Sequence, residues 1–277
     1  MKLDELLSTP FVMPSIPRVV ALLFSELGRA EPDLRRIDQL ISTDPALATR
    51  VLQAANASVF SLSGQLHSVT EALAVLRLAQ VQAMVTAAAA ASGASFKAVP
   101  GIRLPQFWAY SLDAAKVSRS LAGLVKQNQQ AAFTCGLIHA VGELALRIAL
   151  PKAVALDSVV APLDLKRART ERRTFGYCYA HVSAGLARQW HFPQIMVDAL
   201  EYQHAPFDND VYEPLAGVIH LAVWRARARQ AGLSANALTV TFPSTVAEVL
   251  GLDIDLVLQQ DPIDWSAQVP GTSFPKV

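Results

Sequence analysis

The sequence contains few cysteines and none of the spacings that mark a cysteine-based metal or redox site. Cys135 and Cys178 are its only two cysteines, and they lie far apart in apolar segments without a CxxC motif. A zinc knuckle and a paired redox thiol are therefore excluded as the basis of function. The same scarcity argues against a disulfide framework and favours a reducing compartment.

Excess charge and long apolar runs are also missing. The formal net charge is +1, which provides no overall attraction to nucleic acid or to an anionic membrane. Asp4 and Glu5 stand where a secretory leader would be apolar, and the weakly polar run 83–91 is too short to cross a bilayer. We therefore expect a soluble, cytoplasmic protein with no membrane partner and no nucleic-acid partner.

What the sequence does have is apolar residues at helical spacing. Of its 277 residues, 52% are apolar, enough for the core of one large domain or two small ones. Val20, Leu23 and Leu27 show the recurrent spacing of an amphipathic helix. Comparable patterns occupy 17–29, 33–42, 44–55, 78–92, 106–126, 129–148, 162–174, 178–190, 193–204 and 213–231, with shorter ones at 244–250 and 254–260.

Local signals mark where several of these helices begin. Pro45 fits a first helical turn, with Asp44 or Thr43 before it as the cap. Ser68 and Glu71 form an S-x-x-E capping box that opens a further helix. Asn56 is expected to bond to backbone near a helix end.

Strand signals are few. Segment 237–242 alternates weakly, but no partner strand accompanies it, so the pattern predicts an all-α protein. Glycines and prolines in 93–105 mark a linker between two helical halves. We therefore expect a two-part helical bundle, with an N-terminal subdomain over 1–100, a second subdomain over 101–235 and a helical tail over 236–277.

Three of the six histidines lie in places that suit a binding site. His139 sits inside an apolar helical pattern, His181 is followed one turn later by small residues, and His204 stands just before Ala205 and a proline. The other three, His67, His191 and His220, are interpreted as structural. Neutral imidazoles can bind a transition metal, although a lone histidine in an apolar helix is usually a hydrogen-bonded core or boundary residue.

A metal site would also need carboxylates to offset the positive charge. The position after His139 holds Ala140, which has no ligand atom, and the nearest carboxylate is Glu143. On a continuous helix Glu143 would share a face with His139. The competing interpretation is a glutamate paired with an arginine at a packing boundary.

Several segments together resemble the HDOD domain proteins, a branch of the HD superfamily of metal phosphohydrolases that is found in bacterial signalling. The resemblance covers roughly residues 13–230 and is most specific in 41–60 and 171–206; Arg77 departs from it where the family often has glycine. The matching positions in the two specific segments are Asp44, Pro45, Leu47, Leu52, Asn56 and Phe60, then Glu171, Gly176, His181, Gly185, Leu186, Trp190, Pro193 and His204.

The resemblance implies a helical scaffold whose ancestral metal site has lost most of its ligands. His139, His181 and His204 survive, but Tyr110 and Val223 fall where the superfamily has two further ligands. Ala140 replaces the aspartate of the HD pair, and Glu143 stands where related cyclic-dinucleotide hydrolases have a phosphate-binding lysine. The resemblance thus implies an HD-like second subdomain with a degenerate site.

Three functions remain open on these grounds. The first, which we favour, is a non-catalytic regulatory module without catalytic residues, metal or cofactor, acting on a signalling protein in trans. The second is a residual metal-dependent phosphohydrolase acting on nucleotides or cyclic dinucleotides, its ligands being His139, His181, His204 and Glu143. The third is nucleic-acid binding through two arginine clusters, which we interpret instead as solvated helix faces. The clusters comprise Lys166, Arg167, Arg169, Arg172 and Arg173, and Arg225, Arg227 and Arg229.

Overall fold

A computed structural model describes residues 1–57, 66–94, 99–162 and 164–260. All regular structure in these ranges is helical, and they contain no strand, which confirms the all-α prediction. Most of the buried apolar side chains form one continuous core that extends through both halves of the chain. Phe60, part of the 93–105 linker and the end of the tail (261–277) lie outside the described residues.

The first group of helices packs mainly among itself. It comprises α1 (Leu3–Leu7), α2 (Pro17–Leu27), α3 (Leu34–Ile41), α4 (Pro45–Ala57), α5 (Val69–Val75) and α6 (Leu78–Ala94). Helix α2 lies against α3 and α6, while α4 packs on α5 and α6. Two of these helices, α1 and α4, also contact helices of the second group described next.

The second group is longer and surrounds the histidines. It comprises α7 (Leu104–Leu124), α8 (Gln129–Ile138), α9 (Val141–Ala149), α10 (Pro151–Ala155), a 3-10 turn (Leu156–Ser158), α11 (Arg167–Phe175), α12 (Tyr179–Gln189), α13 (Gln194–Tyr202) and α14 (Pro214–Ala231). Helix α7 packs along α8 and α14, and α12 packs between α9 and α13. Helix α1 lies against α12.

Polar side chains in the first group confirm the predicted caps. A carboxylate oxygen of Asp44 accepts the backbone N–H of Leu47 at 2.9 Å, and its other oxygen accepts that of Ile16 at 2.6 Å. Asp44 therefore caps α4 and also fixes the segment before α2. Asn56 bonds both the N–H and the carbonyl of Leu66, each at 3.1 Å.

The predicted helix over 129–148 is wrong in one respect, because it is two helices. Helix α8 ends at Ile138 and α9 begins at Val141, so His139 and Ala140 form the break between them. His139 is therefore a helix-end residue and not a mid-helix residue. Of the described residues, only the stretch Gln129–Ala149 is apolar and long enough to cross a membrane, and 89% of its apolar window is buried, which is typical of core helices in a soluble protein.

The described part of the tail forms three short helices that cover α14. They are α15 (Ala235–Thr241), α16 (Ser244–Val249) and α17 (Ile254–Leu258). The weak alternation at 237–242 thus belongs to a helix, which Ser234 caps by accepting the N–H of Ala237. The cap formed by Ser234 thus favours a helix here, although the β-branched residues of the segment favour a strand.

Candidate functional site

His139 is completely buried, and both of its ring nitrogens have partners. Nδ1 lies 2.7 Å from the carbonyl oxygen of Gly136, and Nε2 lies 3.0 Å from the hydroxyl of Tyr110. That hydroxyl accepts a hydrogen bond from Nε of Arg227 at 2.9 Å. The tautomer that satisfies the chain donates from Nδ1 to Gly136 and accepts the Tyr110 proton at Nε2. Burial lowers the pKa of His139 to about 3; the bond to Gly136 opposes this shift and Arg227 adds to it.

Hydrogen bonds from α12 and from the end of α13 stabilise the break between α8 and α9. The backbone oxygen of His139 accepts bonds from Ser183 Oγ and from Gln203 Nε2, each at 3.0 Å. Ser183 Oγ also accepts the N–H of Gly142 at 2.9 Å. A side chain at Gly142 would collide with the backbone oxygen of Tyr179. The break, the small residue and α12 therefore fit together as one packed unit.

Arg227 occupies the interior next to this unit. Its side chain is buried, and its guanidinium carbon lies 5.9 Å from the centre of the Tyr110 ring. With Ala140, Glu143, Arg167 and Tyr179 it lines a small void that leaves no room for a water molecule. The interpretation of the 225–229 arginines as a solvated face is thus wrong for Arg227. Its hydrogen-bond partner, Tyr110, lies on α7, 117 residues earlier in the chain.

A buried ion network lies on the other side of the void. Glu143 accepts a bond from Arg147 Nε at 2.7 Å, and Arg147 also binds Asp157 through two nitrogens, at 2.6 and 2.9 Å. Arg167 binds the same Asp157 at 2.8 Å and Glu171 at 2.8 Å. Glu143 is therefore paired with an arginine, as one of the two sequence interpretations predicted. The face-sharing with His139 expected on a continuous helix does not apply, because the helix breaks between them.

Arg167 is the centre of this network. It also donates to the backbone oxygen of Val160 at 3.0 Å and to that of Ala153 at 2.5 Å. The interpretation of the 166–173 cluster as a solvated face is therefore wrong for Arg167, although it holds for the exposed neighbours. Burial, followed by the adjacent Glu143 carboxylate, raises the pKa of Glu171 to about 8.

His181 and His204 form a second, more open cluster. Their ring centres are 5.7 Å apart, and His181 Nδ1 lies 3.2 Å from the backbone nitrogen and 3.1 Å from the sulfur of Cys178. The Nδ1 atom of His204 is buried without a hydrogen-bond partner. Burial, then the neighbouring His181 and Arg172, lowers the pKa of His204 to about 4. Arg172 pairs with Asp208 at 2.8 Å beside this cluster.

The residues present do not fit the dinuclear metal centre that the superfamily implies. Both ring nitrogens of His139 are hydrogen-bonded, and the Glu143 oxygen that Arg147 binds is committed to that pair. Among the described residues, no three His, Cys, Asp or Glu side chains are grouped closely enough to hold an ion. The fallback ligand set of His139, His181, His204 and Glu143 is thus not assembled as one site.

Tyr110 and Val223, which fall at the two other ligand positions, have different roles. Tyr110 is buried and connects His139 to Arg227, whereas Val223 is a buried apolar residue of α14. The phenol of Tyr110 thus carries a hydrogen-bond relay between an imidazole and a guanidinium. Arg227 lies one helical turn beyond Val223 on α14.

The sequence analysis missed the residues that organise the site. Arg147, Asp157 and Gln203 were not considered, and Arg167 and Arg227 were interpreted only as members of solvated arginine clusters. The backbone oxygen of Gln203 lies 2.7 Å from His220 Nδ1. Two signals were available. Each of the pairs Glu143/Arg147 and Arg167/Glu171 has the i, i+4 spacing of a helical ion pair.

Comparison with known proteins places this geometry in context. A model of the HDOD domain matches residues 13–206. An uncharacterized protein of Treponema pallidum (strain Nichols) is 22% identical over 214 residues, which cover 76% of this chain and 41% of that protein. The chain thus spans about two fifths of the length of this curated relative.

Solved structures show the same fold. The MmoQ response regulator from Methylococcus capsulatus is 26% identical with a TM-score of 0.70, covering 90% of this chain and 95% of that one. A candidate phosphohydrolase from Shewanella amazonensis is 25% identical with a TM-score of 0.52, covering 93% and 91%. An HDOD domain protein of unknown function from Geobacter sulfurreducens is 22% identical with a TM-score of 0.51, covering 92% and 91%.

Proposed function

The chain belongs to the HDOD family, and from that premise we propose that it is a non-catalytic regulatory module that binds a signalling protein in trans. A regulatory role of HDOD type agrees with the similarity to a response regulator. The finer parts of the proposal are the absence of catalysis, the action through protein contacts and the cytoplasmic location. The first two rest on the chemistry of the histidine site, and the location rests on the scarcity of cysteines.

The observation that carries the proposal is the relay Arg227–Tyr110–His139. Arg227 donates to the Tyr110 hydroxyl, which lies 3.0 Å from His139 Nε2. The ring nitrogen that would bind a metal is therefore occupied, and a guanidinium cation lies just behind it. A second positive ion next to a buried arginine would be strongly repelled, since charges interact strongly where water is excluded.

The ion network supports the same conclusion from the carboxylate side. Glu143 and Glu171 are the carboxylates that could have offset a metal charge, and each is bound by an arginine, Arg147 or Arg167. Losing such a partner would leave an uncompensated buried charge, which is costly. We therefore infer that the site has become a structural core that keeps the second helical group rigid for partner recognition.

The experiment combines metal analysis with partner capture on one native sample. Protein purified without chelator is assayed for bound transition metals and for hydrolysis of cyclic dinucleotides with added manganese, beside a His181→Ala, His204→Ala control. We expect substoichiometric metal, no turnover above background and no difference between the two proteins. Affinity capture from the cell extract should recover the same signalling protein with wild type and control.

The alternative is the residual metal-dependent phosphohydrolase. The open cluster favours it, because His204 Nδ1 has no hydrogen-bond partner and lies beside His181. Stoichiometric metal that disappears in the double variant, together with metal-dependent turnover, would support this alternative. Those results would overturn the non-catalytic proposal.

A further inference from the structure

The exposed side of α11 carries cations that the ion network does not use. Lys166, Arg169 and Arg173 lie on one face of this helix, opposite the buried Arg167 and Glu171. Among the described residues, none of these three side chains is paired with a carboxylate. We call Lys166, Arg169 and Arg173 the basic strip.

Carboxylates and exposed apolar side chains lie next to this strip. The loop 205–213, which we call the acidic loop, carries Asp208 and Asp210, both exposed. Phe207 and Val211 of the same loop are 49% and 76% exposed. Their exposure is unusual for large apolar side chains on one short loop and points to a contact surface.

The carboxylates of α13 extend the negative charge of the loop. Burial, followed by Glu201, Asp198 and Asp210, raises the pKa of Tyr202, so the field of these three carboxylates reaches this side chain. Glu201 is bound by Arg188 at 3.2 Å, whereas Asp210 has no cationic partner in the described part of the chain. The surface is therefore negative beside the loop and positive along α11.

The two charged areas meet at one exposed ion pair. Arg172 of α11 binds Asp208 of the acidic loop at 2.8 Å, and the two side chains are 50% and 49% exposed. A two-fold axis that passes near this pair would place each basic strip against the acidic loop of the other copy. Contacts of this kind are self-complementary, and closed two-fold dimers are the commonest form of homo-oligomer.

We propose that the basic strip and the acidic loop form a dimer interface, in which each strip contacts the acidic loop of a second copy of this chain. Phe207 and Val211 add exposed apolar area to the loop side of this interface. Apolar contacts beside charged ones are the usual composition of an interface. The occupant is a second copy because the chain itself carries both halves of the complementary pattern.

The test measures mass in solution by light scattering over a range of protein concentrations. Wild type should convert from monomer to dimer as concentration rises, and the dimer should weaken at high salt because exposed charges are then screened. The basic variant (Lys166→Glu, Arg169→Glu, Arg173→Glu) and the acidic variant (Asp198→Lys, Asp210→Lys) should each dimerise at least about tenfold more weakly. A mixture of the two variants should form a heterodimer, because the reversed charges again complement each other.

A matched control carries the same change in charge elsewhere. The variant Arg35→Glu, Arg77→Glu, Arg103→Glu alters three exposed arginines far along the chain from both surfaces, and it should dimerise like wild type. Circular dichroism on every variant verifies folding, and the milder Arg169→Gln, Arg173→Gln variant replaces the basic variant if that one fails to fold. Wild type that stays monomeric, or a basic variant that dimerises as tightly as the control, overturns the inference. Either result leaves the proposed partner in trans untouched.

Discussion

Two histidine sites lie in the second helical group, and their surroundings differ: His139 stands alone, whereas His181 and His204 form a pair. His139 is fully buried, with both ring nitrogens bonded and its carbonyl held by two further helices. His181 and His204 are partly exposed, and His204 Nδ1 has no partner. In the family's active relatives both clusters would contribute to one metal centre, as the resemblance implies.

The difference between the two parts is one of hydrogen bonding. In the closed half, Tyr110 and Arg227 form a buried hydrogen-bonded chain with His139, so that this polar core contributes to folding. In the open half, both imidazoles are partly exposed and His204 Nδ1 has no hydrogen-bond partner. We therefore expect substitutions in the closed half to cost stability and substitutions in the open half to cost little.

The largest expected effect is in the ion network. Arg167→Met should lower the free energy of unfolding by about 3–5 kcal/mol, since it leaves buried carboxylates and two backbone oxygens without their donor. Chemical denaturation measures the change. The control is Arg169→Met on the exposed face of the same helix, expected to change stability by less than about 0.5 kcal/mol. Equal effects in the two variants would contradict a structural role for the network.

The next effect compares the clusters directly. His139→Ala should cost about 1–3 kcal/mol, because the buried Tyr110 hydroxyl would lose the acceptor of its proton and keep only the bond from Arg227, and the Gly136 carbonyl would lose the bond from the imidazole. His181→Ala removes an acceptor for the Cys178 N–H at the start of α12, which is worth about 0.5–1 kcal/mol. Thermal unfolding of both variants gives the order. If His181→Ala were the more harmful, the contrast between a closed and an open half would be wrong.

Sequence patterns predicted the features that depend on near neighbours. Asp44, Asn56 and Ser68 were assigned from residues within a few positions, and each bonds to backbone as expected. Glu71 completes its capping box one residue early, on the N–H of His67. The all-α class and the HDOD family followed from spacing and resemblance and are both confirmed.

The break at His139 was not predictable in the same way. The apolar pattern continues through it, and the bonds that stabilise it come from Ser183 and Gln203, 44 and 64 residues further along the chain. The burial of Arg147, Arg167 and Arg227 depends likewise on tertiary partners. A charged residue is assigned to the surface by default, so a buried network is visible in the sequence only through its i, i+4 pairs.

The last expected effect is the pH dependence of stability, in which His139 and Glu171 act in opposite directions. His139 has a pKa of about 3 in the folded chain against 6.5 otherwise, so its contribution is present above pH 6.5 and is lost as pH falls toward 3. Glu171 has a pKa of about 8 against 4.5, so its contribution is present below pH 4.5 and is lost as pH rises through 8.

The measurement is the free energy of unfolding from pH 4 to pH 9 for wild type, His139→Gln and Glu171→Gln. His181, His204 and His220 also have lowered pKa values and Asp44 a raised one, so the informative quantity is the difference between each variant and wild type. His139→Gln should remove an acid slope of up to about 1.4 kcal/mol per pH unit, and Glu171→Gln should flatten the alkaline side. If the stability difference between each variant and wild type does not change with pH, neither His139 nor Glu171 changes its protonation on folding. Burial would then not shift the pKa of either group, and the contrast between the closed and the open half would be wrong.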